Sequence, residues 1–164
     1  MRKLFIPMLL CASVVASAAD GQAISIDRKQ VSAAAARKMV DACLAYAEKN
    51  NIVVAVAVVD IAGVLIDFHA MQGGGPTVAE TAILKAKTAA HWQRSTAILE
   101  QDVETHRNDA SLWIRDFPKK GALPIMIGGQ VAGAIGVGGA QKQEECAQAG
   151  IDAVVPKQPL AAQR

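Results

Sequence analysis

The chain has 164 residues, a length that suits one domain. It is 52% hydrophobic, 20% charged and 4% aromatic, which excludes a disordered chain, and Gly 13, Pro 6 and Cys 3 exclude collagen-like and small disulfide-stapled classes. The formal net charge is only +2, so nothing in the balance points to a polyanionic partner.

Arg2 and Lys3 open the sequence, followed by an apolar run over residues 4–15 and then Ala16-Ser17-Ala18. A basic start, a short apolar run and a small-residue site predict a secretory signal peptide over 1–18, with the mature chain beginning near Ala19. The expected location is therefore periplasmic or secreted. The run is too short to span a bilayer, so no membrane span is expected after cleavage. Arg2 and Lys3 leave with the leader, and the mature chain then balances 15 Lys+Arg against 15 Asp+Glu. A neutral domain lacks the basic footprint that nucleic acid requires. Cys43 and Cys146 remain in a compartment that permits disulfides. They form either one bridge or two separate buried thiols.

The first predicted element is a helix capped by Asp27 with Gln30 in the capping-box position, carrying Val31, Ala35, Met39, Leu44 and Ala47 as its apolar stripe to about Lys49. Asn50-Asn51 stops it. Residues 52–59, IVVAVAVV, read as a strand buried on both faces. Asp60-Ile61-Ala62-Gly63 makes a turn, and 64–71 returns as the second strand of a hairpin. A glycine loop, QGGGP at 72–76, hands over to a helix capped by Thr77 and Glu80, with Val78, Ala82, Ala86 and Ala89 inside. Ile98, Leu99 and Val103 support a shorter helix to about Arg107, and 108–123 reads as irregular. A second hairpin pairs 124–127 with 131–137 across Gly128-Gly129-Gln130. Gly133 and Gly136 inside a strand signal a close approach by something else. The last helix covers 142–149, with Gly150 beyond its end, and 156–164 reads as a flexible tail. The order α-β-β-α-α-β-β-α predicts one α+β domain over 19–155, an antiparallel sheet of four or five strands with helices packed on it.

The glycine loop lacks the spacing and the lysine of a nucleotide-binding loop, so it reads as a plain turn. Ser32, Ser95 and Ser111 lack a nucleophile elbow. His69, His91 and His106 can each offer a neutral ring nitrogen to a metal or haem iron. Asp102 and His106 stand four apart on one helix face, suited to an exposed metal and equally to a solvated acidic face. His91 sits beside Trp92 at the end of an Ala-rich helix, where small residues leave room for a flat ligand and where the helix dipole by itself favours a C-terminal histidine.

Four blocks go further: VAVAVVDIAGVLIDFHAM at 54–71, LKAKTAAHWQRST at 84–96, GALPIMIGGQVAGAIGVGGA at 121–140 and QKQEECAQAGI at 141–151. In that order they resemble the GlcG/HbpS-like haem-binding family, also called a haem-degrading domain family, across about residues 26–155. Ala70 departs from the arginine common in the family, and Ser95 from a frequent proline. The resemblance implies a small α+β domain with an antiparallel sheet, assembly into a homo-oligomer, and haem or a related tetrapyrrole as ligand. Corrinoid and free iron are the weaker alternatives for the cofactor. Lys85, Thr88, Arg94, Gly133 and Gly136 match family positions and carry over as pocket or packing residues. The candidate iron ligands are His91, His69 and Met71, in that order.

The leading expectation is an exported haem-binding carrier, scavenger or sensor. An enzyme acting on haem, another tetrapyrrole or a small organic acid is the alternative, and a ligand-free partner-binding module of an exported redox system is the third reading.

Overall fold

The structure, a computed structural model, describes residues 27–139 and 141–155. The expected leader and the tail at 156–164 lie outside them. Two hairpins make the sheet: β1 (Val54–Asp60) with β2 (Leu65–Ala70), and β3 (Ala122–Ile127) with β4 (Gln130–Gly139). They join through an antiparallel β1–β4 pair, which gives four strands in the order β2-β1-β4-β3.

The helices are α1 (Ala33–Lys49), α2 (Val78–Trp92), α3 (Thr96–Glu104), α4 (Ala110–Trp113) and α5 (Gln143–Asp152). This is the α+β order read from the sequence, with one added turn of helix, α4, in the segment expected to be irregular. Among the described residues no helix is long and apolar enough to cross a membrane.

The central strands explain the three layers. Successive side chains of a strand point to opposite faces, and β1 buries both sets. Val54, Val56 and Val58 face α1 and α5, together with Leu123, Ile125, Ile135 and Val137. Ala55, Ala57 and Val59 face α2, whose Ala82, Ala86, Ala89 and Ala90 lie against them. Of the two β4 glycines expected to allow a close approach, Gly133 is met by the Val59 carbonyl of β1 and Gly136 by α2. A Cβ on Gly136 would strike the Ala82 carbonyl and stand 2.5 Å from the Ala86 nitrogen, and one on Gly138 would strike the Val78 carbonyl.

Three helix ends differ from the sequence reading. Ser32, not Asp27, caps α1: its Oγ accepts from the Ala35 N–H at 3.2 Å, while the Val31 N–H donates to the Ala132 carbonyl at 3.3 Å and ties the entry to β4. Thr77 precedes α2 in a helical conformation and makes no side-chain cap bond. Gly150 lies inside α5 rather than beyond it. A side chain there would meet the Met39 carbonyl at 2.7 Å and Ile135 Cδ1 at 2.8 Å, so glycine lets α5 rest on α1. Cys43 of α1 and Cys146 of α5 are joined by a disulfide with Cα atoms 4.7 Å apart, which settles the open question of their pairing.

Candidate functional site

The flank of α2 that faces away from the sheet carries the polar groups. Thr88 is buried; its hydroxyl donates to the Leu84 carbonyl and accepts from the Phe117 N–H, both at 2.8 Å. One turn on, Asp116 accepts from His91 Nδ1 at 3.0 Å and from Trp92 Nε1 at 2.5 Å. These bonds strap the segment after α4 onto the end of α2. Because Asp116 is the acceptor, Nδ1 carries the proton and the neutral imidazole keeps its lone pair on Nε2. That nitrogen is turned toward the β1–β2 turn, 3.1 Å from where a Cβ on Gly63 would stand.

Arg94 donates to Asp102 Oδ2 at 2.9 Å, and Arg107 reaches Oδ1 of the same carboxylate at 2.8 Å. His106 sits in the left-handed region just past α3 and approaches Asp109 at 3.4 Å. The expected metal pair of Asp102 and His106 is therefore not assembled, because two guanidiniums hold the carboxylate. Among the described residues no group of three or more His, Cys, Asp or Glu gathers to hold a metal ion.

His69 and Met71 lie elsewhere. His69 is exposed on the edge strand β2, opposite Val56 and hence on the face of the sheet away from α2. Met71 packs against the core under α1 and α5. The sheet separates His69 from His91, so the three expected iron ligands are not brought together.

Beside α2, Ser95 caps α3 through the Ala97 N–H and donates to Glu144 at 2.9 Å. Glu100 accepts from Lys119 at 2.7 Å and from the Lys120 N–H at 2.8 Å. Burial raises the Glu100 carboxyl, but these two hydrogen bonds and the lysine charges outweigh it and hold it below its ordinary value. Lys85 is buried under Gln143, and the loss of solvent pulls its ammonium below its ordinary value against the opposing charges of Glu100 and Glu144.

An open apolar hollow of about 480 Å³ lies between α3 and α4, lined by Val103, His106, Asp109 and Leu112. A smaller one of about 180 Å³ shares Val103 and Leu112 and continues past Phe117 and Pro118 to Lys119. Together they form a groove with an apolar floor, the His106 imidazole at one end and, at the other, Lys119 paired with Glu100 beside Glu104 and Asp116. The sequence reading named His106 but missed Leu112 and Asp116. Leu112 lies in a segment without periodicity, and no local signal sets Asp116 beside His91, 25 residues away.

The chain folds as a three-layer α+β domain with an open apolar groove between α3 and α4. The chain belongs to the HbpS-like family: the model described as "Haem degrading protein HbpS-like" matches residues 31–152. GlcG of Escherichia coli is 34% identical over 91 residues, 56% of this chain and 68% of the relative. HbpS of Streptomyces reticuli, solved as a double mutant, is 28% identical with a TM-score of 0.73 and covers 90% of this chain and 100% of its own. PduOC, solved as a complex with haem, has the same fold at 20% identity and TM-score 0.72, covering 77% and 96%.

Proposed function

We propose that this protein is an exported haem-binding protein, a carrier, scavenger or sensor, that holds the tetrapyrrole in the α3–α4 groove. The observation that carries the reading is the apolar hollow of about 480 Å³ with the His106 imidazole in its wall. A planar apolar ligand needs a concave apolar surface with a few placed polar groups, and haem iron takes a neutral ring nitrogen. Val103 and Leu112 would meet the macrocycle and His106 the iron. The bound group would supply a redox-active iron centre. The fit favours His106 over His91, whose Nε2 is turned onto Gly63 rather than into the groove.

The groove is wide open and His106 is 85% exposed along its side chain, which suits exchange of a ligand better than chemistry that must exclude water. The family's description names haem degradation, and one preparation separates the two readings. Haem-loaded protein given a reductant and oxygen keeps its Soret band if it is a carrier. Protein-dependent loss of that band with release of iron identifies an enzyme.

Export is supported by the leader-like start and by the Cys43–Cys146 bridge, a bond that persists in oxidising compartments. A homo-oligomer is supported by the exposed Val53, Val64, Leu65 and Ile114, and by the edge position of β2. Hemin titration of the purified protein tests the central reading. A saturable Soret shift that Leu112→Lys abolishes is expected, and no shift in the unaltered protein overturns it.

A further inference from the structure

Lys85 presents a problem that the haem reading does not solve. It is 5% exposed, yet the close partners of its ammonium are neutral: Gln143 Oε1 at 2.6 Å and the Val137 carbonyl at 3.5 Å. The neighbouring carboxylates are committed elsewhere. Glu100 is bonded to Lys119 and to the Lys120 N–H, and Glu144 accepts from Ser95 and faces Lys120 Nζ at 3.6 Å. A buried cation without a bonded counter-ion is costly, and an anion brought against it relieves that cost.

The side chain that covers Lys85 is also the wall of a cavity. Gln143 lines an open space of about 370 Å³ together with Lys120, Gln141 and Lys142. Lys142 likewise has a neutral partner, Asn50 Oδ1 at 2.7 Å. The amide of Gln143 is held by its Nε2 donating to the Gly139 carbonyl, and its Oε1 lies where a Cβ on Gly121 would fall. Glycine at 121 thus leaves the space in which a trigonal oxygen meets Lys85. The cavity shares no lining residue with the α3–α4 groove.

We propose that this cavity is a second site that binds a small carboxylate, whose oxygen replaces Gln143 Oε1 on Lys85 while Lys120 and Lys142 hold the ligand at the mouth. A carboxylate oxygen has the trigonal acceptor geometry of the amide oxygen it displaces and adds the missing negative charge.

Succinate titrated into the purified protein by calorimetry, at ionic strength held constant with chloride, tests the site. Saturable binding is expected, weakened at least tenfold in Lys85→Met. Gln143→Ala removes the competing oxygen and is expected to bind succinate severalfold more tightly, which keeps the test decisive where Lys85→Met does not fold. The site is overturned by absence of saturable binding, or by unchanged affinity in both Lys85→Met and Gln143→Ala. Inorganic phosphate binding as tightly as succinate overturns the carboxylate assignment. Hemin added to either variant is expected to shift as in the unaltered protein, so failure here is distinct from failure of the groove.

Discussion

On one face of the sheet Val54, Val56, Val58, Ile135 and Val137 meet α1 and α5 through large side chains, with a disulfide between the two helices. On the other face Ala55, Ala57, Ala134, Gly136 and Gly138 let α2 approach the strand backbone itself. The first face is held by filled volume, so it is weakened by removing atoms. The second is held by closeness, so it is broken by adding them. The polar groups follow the same division. Lys85, Thr88, His91 and Trp92 all ride on α2, which lies against residues that have almost no side chain.

Gly136→Val is the sharpest way to break that arrangement. The added atoms meet the backbone of α2 at Ala82 and Ala86, and backbone has no rotamer with which to yield. A loss of about 3 kcal/mol or more is expected in urea denaturation. A midpoint equal to that of the unaltered protein would show that α2 does not lie where the structure puts it.

The opposite face responds to its crosslink. The bridge closes a loop between positions 103 residues apart, which constrains the unfolded chain. Replacing Cys43 and Cys146 together by serine is expected to cost about 2–4 kcal/mol. The Soret response to hemin should survive in native conditions, because neither sulfur approaches the groove. A double variant as stable as the parent removes the crosslink from the account.

Glu100 gives the smallest effect and a defined sign. Its carboxyl lies below its ordinary value in the folded chain, so its contribution is present above the unfolded value near 4.5 and fades as pH falls through the folded one. Glu100→Gln should therefore match the parent in strong acid and lag slightly behind it at neutral pH. A constant gap across the acid limb contradicts the assigned partners, Lys119 and the Lys120 N–H.

The hairpins were readable because IVVAVAVV leaves a strand no solvent face and because Asp60 supplies its own turn. Asp60 Oδ1 accepts from the Ala62 and Val64 N–H groups at 2.9 and 2.8 Å. The glycines of β4 were readable as a close approach, though not what approaches. Less was legible at the helix ends. Asp27 has the right chemistry for a cap, but the Val31–Ala132 bond sets the entry five residues later, at Ser32. Gly150 looks like a stop because the sequence does not show α1 pressed against it. The site was least legible. His91 ranks ahead of His69 along the chain, but only the pairing of His69 with Val56 shows that the sheet stands between them. The groove itself arises where Val103 and Leu112 meet, two apolar residues that local periodicity assigns to no common surface.

The place where hemin binds decides whether the α3–α4 groove is the site. Parallel hemin titrations of the unaltered protein and of His106→Ala, His91→Ala and His69→Ala, followed at the Soret band, measure that directly. A saturable shift is expected that is lost in His106→Ala and retained in the other two. Retention of the full shift in His106→Ala, with its loss in His91→Ala or His69→Ala, would place the haem outside the α3–α4 groove and contradict the proposed site.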